Sequence, residues 1–215
     1  TECCCGPDPL DDIRRRLRVT PVPGCPGLLL YGAHPGSGLG QIAGCGASPY
    51  WAYPWAGGLA LARYLADHPT AVAGRRVVDF GSGSGLVAIA AAKAGALSVV
   101  AVDVDRHAVA AVALNAALNG VSIITRLGDL TDAPPPEADV VLAGDLFYDA
   151  DVATRMTAFL GRCAEAGLEV LVGDPGRTFL PTDDLLRIAE YSVSDFAGGL
   201  SATPSSVYCM QRLPA

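Results

Sequence analysis

The sequence predicts an α/β fold, a mostly parallel sheet with helices on both faces, and three observations lead there. The stretch Val77–Leu86, VVDFGSGSGL, is a β-branched run that ends in a Gly/Ser turn before an Ala-rich segment, so it reads as strand, turn and helix. Ala96–Val102, ALSVVAV, is a continuous apolar run of the kind that forms a parallel strand buried on both faces. Beyond residue 50, strand-like and helix-like segments alternate, which is the pattern of successive βαβ units. At 215 residues, 51% hydrophobic and 17% charged, the chain can bury one substantial core and reads as one domain, residues 48–215, behind an N-terminal arm, residues 1–47.

Glycine and proline are dense in the arm, which predicts little regular structure apart from the basic amphipathic stretch Leu10–Arg18; its Gly32–Gly46 portion suits a flap. Ser48–Leu65, SPYWAYPWAGGLALARYL, holds both tryptophans of the chain. Gly57 and Gly58 separate this aromatic cluster from a helix over Leu59–Ala66. The aromatics read either as core anchors or, being concentrated in a loop with two prolines, as a lid over a flat ligand or an amine. A strand from Val77, a helix over Leu86–Ala94 and the strand Ala96–Val102 follow. The next segments are a helix over Arg106–Leu118, a short strand over Val121–Arg126, a buried strand over Asp139–Ala143 and a helix around Ala150–Ala164.

The chemistry gathers at the ends of the predicted strands. Gly81, Gly83 and Gly85 alternate with serines, so the backbone can turn sharply and approach a ligand closely. A nicotinamide fingerprint would place its third glycine one residue later, and Asp79 just before the loop would repel a pyrophosphate. An acid there suits an ammonium, such as the methionine end of S-adenosylmethionine, and Gly81, Ser82, Gly83 and Gly85 are its expected cradle. Asp103 closes the second strand about 20 residues after Gly81, where an acid meets ribose hydroxyls, with Val104 beside it. Asp129 and Leu130 close the third strand, where a carboxylate can accept from an adenine amino group. Asp103 has a competing reading as a helix cap, although Asp105 can serve the same helix.

A second constellation is ADVVLAGDLFYDAD, Ala138–Asp151. Asp145 stands at the end of its strand with Tyr148 nearby, while Asp149 and Asp151 are available to cap the following helix. A carboxylate at this edge can bind an incoming ammonium, help it lose a proton and aim its lone pair, and an aromatic ring can flank the cation.

Composition excludes several classes. A net charge of −7 and a pI near 4.8 leave no phosphate-neutralising surface, so nucleic acid is not the expected substrate, while a cationic partner is favoured. No apolar run reaches membrane-spanning length uninterrupted, so no membrane association is expected. The seven cysteines, Cys3, Cys4, Cys5, Cys25, Cys45, Cys163 and Cys209, follow no pairing framework or metal-ligand spacing, which predicts free thiols in a reducing cytoplasm and no metal site. No signal segment is expected, and His34, His68 and His107 read as surface residues.

Taken together, PYWAYPWAGG, DFGSGSGL, the Asp103–Asp105 DVD, GDLFYD and VGDPGRTFLP resemble the seven-β-strand protein lysine methyltransferases, nearest to those acting on the electron transfer flavoprotein β subunit. The resemblance runs from about Pro49 to Arg212. It implies a Rossmann-like seven-stranded, mostly parallel sheet with an antiparallel C-terminal hairpin. It also implies S-adenosylmethionine as methyl donor, S-adenosylhomocysteine as product, and a protein with an exposed lysine as acceptor. The family's acid-x-x-aromatic motif falls on Asp145 and Tyr148, its tryptophan-Gly-Gly segment on Trp55, Gly57 and Gly58, and its fifth-strand motif on Gly173, Asp174, Pro175 and Arg177. The chain departs from the pattern in GGLSATPSS near the C-terminus, where the flavoprotein-modifying members are more charged. Two alternatives therefore stand beside the lysine reading: a small-molecule N-methyltransferase, and a noncatalytic S-adenosylmethionine-binding protein.

Overall fold

The β-branched runs become the centre of one sheet because their side chains are buried on both faces, as in β3 (Arg76–Phe80), where every residue after Arg76 is buried. The computed structural model describes residues 8–41, 49–194 and 202–211. On one side β3 pairs in parallel with β4 (Ser98–Asp103), which pairs with β5 (Ile124–Leu127); on the other it pairs with β6 (Val140–Gly144), then β7 (Glu169–Asp174). An antiparallel hairpin of β8 (Leu185–Ser194) and β9 (Ala202–Met210) completes seven strands in the order β5-β4-β3-β6-β7-β9-β8. The chain leaves β3 in one direction and returns beyond it in the other, so a crevice forms between the carboxyl ends of β3 and β6. This agrees with the expected Rossmann-like sheet and C-terminal hairpin.

Helices α2 (Ala56–Asp67), α3 (Leu86–Lys93) and α4 (Arg106–Leu118) cover one face, with Leu59, Leu61, Leu65, Ile89 and Val112 buried against the sheet. The other face is covered by α5 (Ala150–Glu165), whose Met156, Phe159, Leu160 and Cys163 pack with Phe80, Val141, Phe147 and Val172. Phe80 and Phe159 meet at a ring separation of 4.5 Å.

Several boundaries differ from the sequence expectation for identifiable reasons. α2 takes in Gly57 and Gly58, and at Gly57 the helix crosses β7 where a side chain would not fit. β5 starts at Ile124 rather than Val121, since the Val121 amide still bonds to the Ala116 carbonyl of the helix end. β4 starts at Ser98 because Ala96 is held in an isolated bridge with Ala73.

The described part of the arm is more regular than its glycine and proline content suggests. It forms α1 (Pro9–Arg16) and a two-stranded ribbon, β1 (Arg18–Pro21) with β2 (Leu29–Gly32). The ribbon is held from the side by α4: Asn119 accepts from the Leu29 amide at 3.0 Å and Asn115 from the Tyr31 amide at 2.8 Å. Ile13 and Leu17 pack with Trp51 and Ala111. Cys25, Cys163 and Cys209 are free thiols, while Cys3–Cys5, Cys45 and parts of Gly32–Gly46 and GGLSATPSS lie outside the described residues. Among the described residues no helix is long and apolar enough to cross a membrane.

Candidate functional site

A cleft of about 840 Å³ opens over the carboxyl ends of β3, β4, β5 and β6. It is walled by Gly81, Gly83, Asp103, Val104, Asp129, Leu130, Asp145, Tyr148 and Trp55, among others. Nine of the twelve residues expected to hold the donor or the acceptor therefore meet at one place. Asp79, Ser82 and Gly85 do not line it.

Those three hold the glycine turn from beneath. Asp79 is 1% exposed and accepts from the Ala88 amide at 3.1 Å, so it caps the first turn of α3. Burial away from water, opposed by that hydrogen bond, pushes its carboxyl up to about 8. Gly85 is the N-cap of α3 at φ 80°, and a Cβ there would press on Val112 at 3.1 Å. Ser82 is buried, and its hydroxyl has no hydrogen-bond partner among the described residues.

Asp103 joins the loop to the next strand. Its Oδ2 accepts from the Gly83 amide at 2.8 Å and its Oδ1 from the Asp105 amide at 2.9 Å. Burial raises its pKa, and the backbone donors work against that rise. The helix-cap reading is taken up by Asp105, which accepts from the His107 amide and caps α4. His107 is not a simple surface residue, for its ring stacks on Trp51 at 5.5 Å. Both tryptophans touch the cleft, Trp51 as a core anchor only 3% exposed and Trp55 as the less buried of the two.

Asp129 accepts from the Thr131 hydroxyl at 2.7 Å and from its amide at 3.0 Å, and pairs with Arg155. The Thr131 hydrogen bonds, with help from Arg155, hold its pKa below the usual range. Thr131, Arg155 and Met156 also line the cleft, and the sequence reading passed over them. Arg155 and Met156 lie on α5, whose inward face gives no local sign of reaching a site.

At the far end stands Asp145, at φ 62° the single non-glycine residue of positive φ among the described residues. Such a conformation costs of order 1–3 kcal/mol and persists only where neighbours impose it. Here the Asp145 amide donates to the Gly173 carbonyl at 2.8 Å, Oδ2 accepts from the Gly57 amide at 2.9 Å, and Oδ1 accepts from Arg177 Nε at 2.7 Å. Asp145 therefore has a structural duty even though Asp149 and Asp151 are at hand as helix caps: it caps α2, whose own N-cap is Trp55 and supplies no side-chain hydrogen bond. Asp149 caps α5, as expected. The Arg177 guanidinium lies 5.9 Å over the Trp55 ring. Tyr50, exposed at the rim, brings its ring to 5.3 Å from Tyr148 and 5.7 Å from Trp55, and its carbonyl accepts from the Trp55 indole. Burial raises the Tyr148 hydroxyl pKa. Behind Arg177, Asp174 accepts from the Gly176 and Arg177 amides, and burial pushes its carboxyl up to about 6.

The geometry finds its counterparts among known proteins. Residues 64–160 match the ribosomal protein L11 methyltransferase (PrmA) family. The chain is 41% identical over 157 residues to the electron transfer flavoprotein beta subunit lysine methyltransferase of Rattus norvegicus, covering 69% of the chain and 61% of that protein. It thus spans about three fifths of the relative's length. Among solved structures, the ribosomal protein L11 methylase of Lactobacillus delbrueckii subsp. bulgaricus superposes with a TM-score of 0.51 at 23% identity, over 72% of the chain and 77% of that structure. The magnesium protoporphyrin IX methyltransferase of Synechocystis with bound S-adenosylmethionine superposes with a TM-score of 0.53 at 14% identity, over 80% and 88%. By sequence the chain is similar to the electron transfer flavoprotein β-subunit lysine methyltransferases, and by topology it carries the seven-stranded fold of the methyltransferases.

Proposed function

We propose that the chain is an S-adenosylmethionine-dependent N-methyltransferase whose acceptor is a lysine ε-amine of a protein, with the electron transfer flavoprotein β subunit as the first acceptor to test and S-adenosylhomocysteine as product. The observation that carries this reading is the single cleft in which a glycine turn, the strand-end acids Asp103 and Asp129, and the Asp145–Tyr148 pair face one another.

The residues fit the donor. A cleft of about 840 Å³ is within the range of small-molecule sites, and the walls are apolar at Leu130 and Met156 with few, well-placed polar groups. Gly81 and Gly83, at φ 60° and 51°, carry the turn past the cleft without side chains. In this assignment Asp103 holds the ribose hydroxyls, Asp129 the adenine amino group, Val104 and Leu130 the flat faces of the base, and Trp55 covers the donor. Asp79, Ser82 and Gly85 keep the turn in shape beneath the methionyl end. When bound, S-adenosylmethionine supplies a methyl group on a sulfonium.

At the acceptor end, the Asp145 carboxylate is held through Oδ2 by the Gly57 amide and through Oδ1 by Arg177, and it is the group that would accept an amine N–H. The carboxylate orients the amine, and the proton leaves through the open rim to water. Tyr148 and Tyr50 flank the amine with ring faces. The net charge of −7 favours encounter with a lysine-bearing partner and disfavours nucleic acid. Free thiols at Cys25, Cys163 and Cys209 accord with work in the cytoplasm.

Incubation with radiolabelled S-adenosylmethionine and an extract containing electron transfer flavoprotein tests the reading. Label in a band of protein mass, on lysine, supports it. Label only in small molecules turns the assignment to a small-amine enzyme, and donor binding without any label turns it to a binding protein.

A further inference from the structure

The acceptor end of the cleft already contains a cation. Resting on the methyltransferase reading above, we propose that Arg177 determines acceptor affinity by occupying the place of the acceptor's ammonium, so that an incoming amine must compete with it for Asp145.

An alkylammonium at this point would need a carboxylate within hydrogen-bond reach and an aromatic face, and Arg177 holds both. Its Nε is 2.7 Å from Asp145 Oδ1 and its guanidinium lies over Trp55 at 5.9 Å. The Asp145 side chain is 2% exposed, so its charge is hard to leave unpaired; the Arg177 side chain is 30% exposed, so its outer end reaches the cleft mouth. Arg177 sits outside the sheet, in the turn just past the end of β7 and directly after Gly176 at φ 89°. The other anchors of this corner are independent of the guanidinium. Asp174 holds the Arg177 backbone amide at 2.6 Å, and the Gly57 amide holds Asp145 Oδ2 at 2.9 Å. The guanidinium can therefore leave while Asp145 stays in position. Charged groups facing this corner are Asp145 and Asp174, with Asp149 and Asp103 farther along the wall.

Such an arrangement has a functional consequence. An amine that brings only a cation gains little, because it replaces one charge-assisted hydrogen bond by another. A lysine presented on a docked protein surface brings further contacts and can displace the guanidinium, which selects a protein-borne amine over a free one.

The test uses n-butylammonium as the lysine side-chain mimic, in the presence of S-adenosylhomocysteine, with binding followed by calorimetry and by the ¹⁵N–¹H signal of arginine Nε. In the parent protein, butylammonium shifts the Arg177 Nε signal as it leaves Asp145. Arg177→Gln, which is shorter and removes the charge, binds butylammonium roughly tenfold tighter, the worth of one charge-assisted hydrogen bond. Arg177→Lys restores the parent affinity, and Asp145→Asn abolishes the tightening in the Arg177→Gln background. Unchanged or weaker binding in a folded Arg177→Gln protein overturns the proposal, as does an Arg177 Nε signal indifferent to the amine. The outcome is separable from the enzymatic reading: labelled protein with no effect of Arg177→Gln sinks the competition alone, and competition without any labelled acceptor sinks the transfer alone.

Discussion

Gly57 and Gly58 are neighbours in α2, yet alanine at the two positions is expected to act with opposite signs. A Cβ at Gly57 would lie 2.2 Å from the Gly173 carbonyl oxygen and 2.9 Å from the Asp145 amide nitrogen, against 3.4 Å for ordinary contact. Both opposing atoms are backbone, one in β7 and one just after β6, so no rotamer change relieves them and α2 must shift by about 1 Å. Overpacking of this kind costs about 1–3 kcal/mol. The shift also strains the 2.9 Å bond from the Gly57 amide to Asp145, a hydrogen bond to a charged group worth about 1.5–3 kcal/mol. Alanine's better helix propensity returns about 1 kcal/mol. The net is a loss of about 2–4 kcal/mol, which in a chain of this size lowers Tm by roughly 5–15 °C. At Gly58 the nearest atom to the added Cβ is Val87 Cγ2 at 3.7 Å, ordinary contact, so Gly58→Ala keeps the propensity gain and raises Tm by about 2–4 °C. Urea unfolding followed by circular dichroism, with thermal melts alongside, reads both. Equal stability of the two variants would refute the close crossing of α2 over β7 and with it the tertiary cap on Asp145.

Three further outcomes follow from the site. Asp103→Ala removes the acceptor for the Gly83 and Asp105 amides as well as the proposed ribose ligand, and should weaken S-adenosylhomocysteine binding by about 1–3 kcal/mol; unchanged calorimetric affinity removes Asp103 from the donor site. Asp145→Asn should leave donor affinity within a few-fold and abolish transfer, and full turnover in the variant would show that the acceptor end lies elsewhere. Asp174 titrates near 6 in the folded protein against 3.8 for the ordinary group. As pH rises between those values the unfolded chain releases this proton first, so the stability this group contributes is complete below about pH 4 and is lost through about pH 6, by roughly 3 kcal/mol. Asp174→Asn, which stays neutral and can still accept from Gly176 and Arg177, flattens that decline in urea midpoints measured from pH 4 to 7; an unaltered slope assigns the loss to other groups.

Much of the fold was open to reading along the chain because its signals are local. Apolar runs such as Ala96–Val102 are dictated by burial on both faces, and the helix Arg106–Leu118 was placed to the residue. The strand-end acids could be found for the same reason: in a parallel sheet, carboxyl ends share one edge, so Asp103, Asp129 and Asp145 had to face a common crevice. Asp149 and Asp105 announced themselves as caps by position alone.

What tertiary structure decided lies between segments distant in sequence. Nothing near Trp55 signals that α2 is capped by a carboxylate 88 residues away, nor that Gly57 is demanded by Gly173 rather than by a break in the helix. Arg177 comes to Asp145 only because β6 and β7 are paired neighbours. The β1–β2 ribbon depends on two side-chain amides, Asn115 within α4 and Asn119 at its C-cap, which a run of glycines and prolines cannot foretell. Periodicity and strand-end chemistry record what each segment buries, and so they prescribe elements and the sheet edge where ligands bind. The charge state and occupancy of that edge are set by which backbone amides and cations the folded chain brings to each carboxylate, and only the packed helices and strands supply those distances.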